Sequence, residues 1–270
     1  MTANLLEGGS PRDIAAAALG VAPAQIVTVE RIKHGLTNDS WRVRTESDAV
    51  VVRISNAAEA LLQIDRRSEA TVLQLVAAAG LGPEVLICNL ARRVLVTRDL
   101  GGTWDEKDAR LQSNIERLGT LLRHLHALAV PTDVRRVDLV ETLRGYLRAL
   151  DERGHRSGLN DEATRTRGEH AALALKQRSQ ECLCHNDVHH LNIIDNGGLR
   201  LIDWEYSGIG EGMFDLASVC VYHGFDKSQR DLLLSSYLQA KDPVATQRLD
   251  LACWLFEYVR KLWMEVREEA

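Results

Sequence analysis

The chain has 270 residues, 45% of them hydrophobic and 26% charged, with a formal net charge of -5. That composition can fill one large core or two lobes, and its mild negative charge gives no general attraction to nucleic acid or to an anionic membrane. No apolar run approaches the roughly 18 residues that span a bilayer, and five cysteines without framework spacing, behind an N-terminus with no signal-like stretch, point to a cytoplasmic protein.

In chain order, Ser10-Pro11-Arg12-Asp13 predicts a helix start leading into 14–19, with Gly20 placed to end it. Clusters of β-formers between turn residues predict strands over 25–32, 40–45 and 49–54. A helix is expected over 57–79, with Leu62, Val72, Leu73 and Val76 on one stripe and Gly80-Leu81-Gly82-Pro83 as its stop. Strands over 84–88 and 93–97 complete a five-stranded antiparallel sheet with one main helix. The boundaries read from this pattern are an N-terminal lobe at 1–98, a hinge at 99–102 and a mostly helical C-terminal lobe at 103–270. Helices are predicted there over 108–128, 138–151 and 161–178, with three more after Gly212, so the fold class is α+β.

One segment interrupts the helical half. Cys184-His185-Asn186-Asp187-Val188-His189-His190-Leu191-Asn192 is followed, eleven residues after Asn192, by Asp203 within Leu201-Ile202-Asp203-Trp204-Glu205-Tyr206. Between them, 191–195 and 199–202 flank Asn196-Gly197-Gly198, a turn that tolerates positive φ and predicts a hairpin. Asn192 and Asp203 then stand at its two open ends, where an amide oxygen and a carboxylate are placed to share a Mg²⁺ ion. Asp187 sits just before, in a loop. A carboxylate base and two oxygen-bearing metal ligands at these intervals are what phosphoryl transfer requires.

These residues resemble the choline/ethanolamine kinases and their relatives, the aminoglycoside phosphotransferases and bacterial thiamine kinases, whose bilobal fold is related to that of protein kinases. The resemblance rests on His185-Asn186-Asp187, Asn192, Ile202-Asp203-Trp204-Glu205-Tyr206 and Asp215-Leu216-Ala217. Upstream it is carried by Gly35-Leu36-Thr37-Asn38, Val52-Arg53-Ile54, Ile64-Asp65-Arg66-Arg67-Ser68-Glu69 and Gly82-Pro83-Glu84-Val85. It implies an enzyme that uses Mg²⁺ and ATP, with Asp187 as catalytic base and Asn192 and Asp203 as metal ligands. Gly35, Thr37, Asn38 and Ser40 would cover phosphates, and Arg53 would pair with Glu69 beside them. His185 and Asp215 would brace the loop. Leu191 departs from the family, which places glycine before the metal-binding asparagine.

The implied acceptor is a small alcohol, with choline or ethanolamine ahead of thiamine and an aminoglycoside third; the oligomeric state is not legible. A cationic acceptor would favour an aromatic wall and a carboxylate, for which Trp204, Glu205, Trp254 and Tyr258 are the candidates. Three rival readings are weaker. A protein kinase would show a long activation loop and an Ala-Pro-Glu after Asp203, and neither follows. A catalytically dead binding module would lack Asp187, Asn192 or Asp203. A zinc site from Cys182, Cys184, His185, His189 and His190 is set aside, because zinc ligands come as spaced pairs and alternate residues of one strand are not expected to converge on an ion.

Overall fold

The computed structural model describes residues 9–32, 38–55, 59, 62–155, 157–177 and 180–268. The chain divides into two compact units, one of Met1–Glu59 with Leu73–Gly101, the other of Ala60–Val72 with Gly102–Ala270.

In the first unit, α1 (Pro11–Leu19) is closed at both ends by the residues the sequence marks. The Ser10 hydroxyl accepts from the Asp13 amide and Asp13 returns the bond to the Ser10 backbone, while Gly20 takes the left-handed φ of 69° at the other end. Strands β1 (Thr28–Ile32), β2 (Asn38–Arg44) and β3 (Ala49–Ser55) follow. After α2 (Arg66–Ala78) come β4 (Val85–Asn89) and β5 (Val94–Arg98). The sheet is antiparallel in the order β1-β2-β3-β5-β4. Val50 and Val52 of β3 and Val94 and Val96 of β5 point to one face and pack with Ile14, Ala15 and Ala16 of α1, so the alternation of the strands and the apolar face of one short helix make a single core.

The helix expected over 57–79 is shorter. It begins at Arg66, because Gln63 takes a left-handed φ of 57° and the Asp65 carboxylate accepts from the amides of Arg67 and Ser68 as an N-cap would. Leu62 therefore lies outside the helix. Glu69, in its first turn, is buried. Residues 57, 58, 60 and 61 lie outside the described residues.

In the second unit the helix expected over 108–128 is two, α3 (Glu106–Arg110) and α4 (Gln112–His126), separated by extended backbone at Leu111. Then come α5 (Leu139–Glu152), α6 (Glu162–Lys176), the strands β6 (Glu181–Cys184), β7 (Ile193–Asp195), β8 (Leu199–Leu201) and β9 (Gly208–Glu211), and the helices α7 (Gly212–Tyr222), α8 (Lys227–Leu238) and α9 (Pro243–Glu268). β7 and β8 form the predicted hairpin, with Gly197 at φ 69° in its turn. β6 pairs with β9 in a two-stranded sheet that local pattern did not announce, since β9 is Gly208-Ile209-Gly210-Glu211 and carries little strand signal. α4 packs on α8 and α7 on α9. α4 meets α8 so closely that a Cβ on Gly119 would fall 2.8 Å from the Leu233 carbonyl oxygen. Among the described residues no helix is long and apolar enough to cross a membrane.

Candidate active site

The segment between β6 and β7 has few regular backbone hydrogen bonds of its own, so its amides must find partners elsewhere. One face of α7 supplies them. The Asp215 carboxylate accepts from the amides of His185 at 2.9 Å and Asn186 at 2.6 Å, and the Ser218 hydroxyl accepts from the Val188 amide at 3.1 Å. The Tyr222 hydroxyl donates to Asp187 Oδ1 at 2.7 Å. Asp215, Ser218 and Tyr222 stand at i, i+3 and i+7, which is one stripe of a helix. Just past its end, the ring of His223 accepts the His190 amide at 3.2 Å. α7 thus holds the loop at 185, 186, 187, 188 and 190. Ser218, Tyr222 and His223 were not anticipated; the visible signal was polar residues at helical spacing on an otherwise apolar helix.

His185 is wholly buried and braces the loop from its other side. Its Nε2 lies 2.9 Å from the Ile202 carbonyl and its Nδ1 accepts from the Asp187 amide at 3.3 Å, so the tautomer with the proton on Nε2 satisfies both. Burial holds its pKa below the ordinary histidine value. The ring packs on Trp204 with centroids 4.6 Å apart. Asn186 takes a left-handed φ of 67° and Asp203 one of 63°, a conformation that asparagine and aspartate accept more readily than most residues. Leu191 is the middle of a 3₁₀ turn (His190–Asn192) and has ordinary backbone angles. The position therefore makes no conformational demand for glycine.

Asp187, one-fifth exposed, is the carboxylate this scaffold presents. Besides Tyr222, it has His189 Nε2 at 3.5 Å and the Asn192 side-chain amide at 3.4 Å, both from Oδ2. Burial alone would raise its pKa, but the His189 hydrogen bond and charge, with Tyr222, outweigh it and hold the group below the usual carboxylate value. His189 was foreseen only as a zinc ligand; its contact with Asp187 is the missed signal of an i, i+2 pair.

The hairpin brings the other two predicted residues together at its open end. The Ile202 amide bonds the Asn192 carbonyl at 3.0 Å, and Asp203 is the next residue. Asn192 is buried, with its amide nitrogen committed to the Asp187 carbonyl at 3.0 Å, which turns its amide oxygen the other way. One amide oxygen and one carboxylate on adjoining strand ends are hard oxygen donors of the kind Mg²⁺ takes, so the residues present fit that ion.

Gly35 and Thr37 lie outside the described residues. Asn38 and Ser40 are on β2 and Arg53 on β3, with Ser40 opposite Arg53 in the register. Glu69 is bound to Arg66 at 2.8 Å, and the same guanidinium reaches Glu205 at 3.1 Å. The four candidates for the pocket wall already have partners within the chain. Glu205 is buried against Arg66, and Trp204 has no exposed surface and donates its indole N–H to the Leu201 carbonyl. The Tyr258 hydroxyl is spent on the Leu159 carbonyl, and one face of Trp254 is covered by the Arg167 guanidinium at 4.0 Å. Trp204 and Tyr258 are buried rings with satisfied polar tips, which are cheap to keep in a core.

The zinc argument also needs correction on its geometry. Alternate strand residues share a face, and Cys182 and Cys184 bring their sulfurs within 3.8 Å.

The sequence profile described as "Phosphotransferase enzyme family" matches residues 28–251. Among curated proteins, Protein LicA of Haemophilus influenzae is 26% identical over 250 residues, covering 87% of this chain and 72% of that protein. A thiamine kinase of Salmonella paratyphi B is 38% identical over 84 residues, 31% of this chain and 24% of the kinase. Among solved structures, a choline/ethanolamine kinase family protein from Mesorhizobium loti superposes with a TM-score of 0.75 at 27% identity, over 95% of this chain and 86% of that one. The choline kinase LicA from Streptococcus pneumoniae gives 0.77 at 21%, over 95% and 89%. With its protein-kinase-like architecture and its family match running through both units, the chain belongs to the phosphotransferase enzyme family.

Proposed function

We propose that the chain is a small-molecule kinase that moves the γ-phosphoryl group of ATP to the hydroxyl of a small cationic alcohol, choline or ethanolamine before thiamine. The observation that carries this is Asp187, fixed by Tyr222, His189 and Asn192 beside the hairpin end that bears Asn192 and Asp203. In this reading Asp187 orients the acceptor hydroxyl and takes its proton, which suits a carboxylate that stays ionised at neutral pH. Asn192 and Asp203 would hold Mg²⁺, whose charge would offset that of the phosphates. Asn38, Ser40, Arg53 and Glu69 are the proposed nucleotide-side residues.

The choice of acceptor is supported by relatives that span most of the chain, whereas the thiamine kinase likeness spans less than a third. The deciding experiment measures ADP release with Mg²⁺·ATP across choline, ethanolamine, thiamine and a panel of aminoglycosides. Turnover with choline or ethanolamine and not the others is expected; release with none of them would leave the small-alcohol reading without support. Asp187→Ala should lower kcat by roughly a thousandfold or more while the thermal melt is kept, and near-normal turnover in that variant would remove Asp187 from its role.

A further inference from the structure

Behind the loop, β6 and α4 place three soft ligand atoms together that phosphoryl transfer does not use. We propose that His126, Cys182 and Cys184 form a thiophilic metal site of the Zn²⁺ class. The Sγ, Sγ and imidazole nitrogen atoms lie within 4.8 Å of one another. The two sulfurs are 3.8 Å apart, which is about the edge of a tetrahedron built on metal–sulfur bonds of ~2.3 Å. Little movement is needed to close two thiolates on one ion. His126 Nδ1 and Cys182 Sγ sit 2.9 and 3.1 Å from the point a Cβ on Gly212 would occupy, so the imidazole presents Nδ1 on the side of Cys182 and the absent side chain at Gly212 leaves that space open.

The rest of the imidazole is arranged as a metal-binding histidine requires. Its Nε2 lies 3.1 Å from Asp215 Oδ2, and a carboxylate on the far nitrogen fixes the ring and raises its basicity toward a metal on the near one. Nδ1 now meets the Tyr237 hydroxyl at 2.9 Å, a bond that metal binding would exchange. Ligation requires the thiolate. Each thiol still protonated would release its proton to solvent on binding. Cys182 is only half-buried and gives access, while Cys184 is fully buried.

The site connects to the catalytic loop through Asp215, which holds His126 on one side and the amides of His185 and Asn186 on the same carboxylate. It is chemically distinct from the oxygen-donor Mg²⁺ position at Asn192 and Asp203, and it stands whether or not the acceptor proposed above is right.

The test is titration of the reduced, tag-free chain with Co²⁺, followed by its thiolate-to-cobalt charge-transfer absorption, which oxygen ligands do not give. Saturation at one ion per chain is expected, with bleaching by Zn²⁺, at least a hundredfold weaker binding in Cys182→Ser, and no change in Cys88→Ser at the exposed thiol of β4. A missing charge-transfer band, or one that survives Cys182→Ser, would overturn the site. Should Cys182→Ser fail to fold, alkylation of the wild-type chain decides: Zn²⁺ should slow iodoacetamide modification of Cys182 at least tenfold, and an equal rate with and without Zn²⁺ would sink the proposal.

Discussion

Asp187 is held by three side chains from three places in the sequence, and each contact has a different consequence. Tyr222 sits 35 residues on and fixes Oδ1, while His189 and Asn192 share Oδ2. Burial and the Asp187 charge push the Tyr222 phenol far above its ordinary value, so it remains a hydrogen-bond donor across the working pH range. Tyr222→Phe keeps the ring and removes only that donor. A hydrogen bond to a charged group contributes about 1.5–3 kcal/mol, so kcat should fall by roughly tenfold to a hundredfold where the bond orients the base, and the melting temperature should drop by several degrees at most. Steady-state kinetics beside a thermal melt checks this, and a variant with unaltered kcat would leave Tyr222 a packing residue.

At the scale of elements, α7 is the organiser of the loop, and its C-terminal contact is sensitive to acid. His223 is buried, its Nδ1 lies 2.8 Å from the Val219 carbonyl and its Nε2 accepts the His190 amide. Protonating Nε2 would set one N–H against another, and burial already depresses the folded value to about 4, against ~6.5 when unfolded. Between those values the unfolded chain binds a proton that the folded chain refuses. Stability is therefore lost as pH falls through that window, by about 3 kcal/mol in all. Urea midpoints at pH 7 and pH 4.5 should differ accordingly, and His223→Gln should flatten the difference. The α4–α8 contact gives a second prediction. Helix propensity favours alanine over glycine by about 1 kcal/mol, yet Gly119→Ala would press its methyl group on the Leu233 carbonyl and on Ser236 Cβ at 2.7 Å. Overpacking of that kind costs about 1–3 kcal/mol, so the melting temperature should drop, and a rise would mean that α8 moves aside freely.

For the whole molecule, the activity proposed here needs a divalent cation that the fold itself does not. The proposed ligand Asn192 is secured by backbone and side-chain bonds of the hairpin and the loop, Ile202 to Asn192 and Asn192 to Asp187, and Asp203 follows Ile202 directly. Exchange into Mg²⁺-free buffer without chelator, which leaves the His126, Cys182 and Cys184 site undisturbed, should therefore abolish ADP release while far-UV circular dichroism and the melting temperature stay within error, and readdition of Mg²⁺ should restore turnover. Loss of structure on omitting Mg²⁺ would show that the cation holds the chain together as well as the substrate.

Local sequence determined what local physics controls. The Ser10 and Gly20 caps, the alternation of β3, the Asn196-Gly197-Gly198 turn and the spacing of Asp187, Asn192 and Asp203 were all legible, because capping, pleating and positive φ act within a few residues. The start of α2 was misplaced because a left-handed Gln63 leaves no mark in apolar periodicity, and β9 was missed because its strand pairing comes from β6 rather than from its own residues. Only the tertiary structure decided which polar groups meet. Tyr222 reaches Asp187, Arg66 claims Glu205, and His126 comes to Cys182 and Cys184 across more than fifty positions. A buried polar group must be satisfied by whatever the fold carries to it, and sequence distance does not limit that choice.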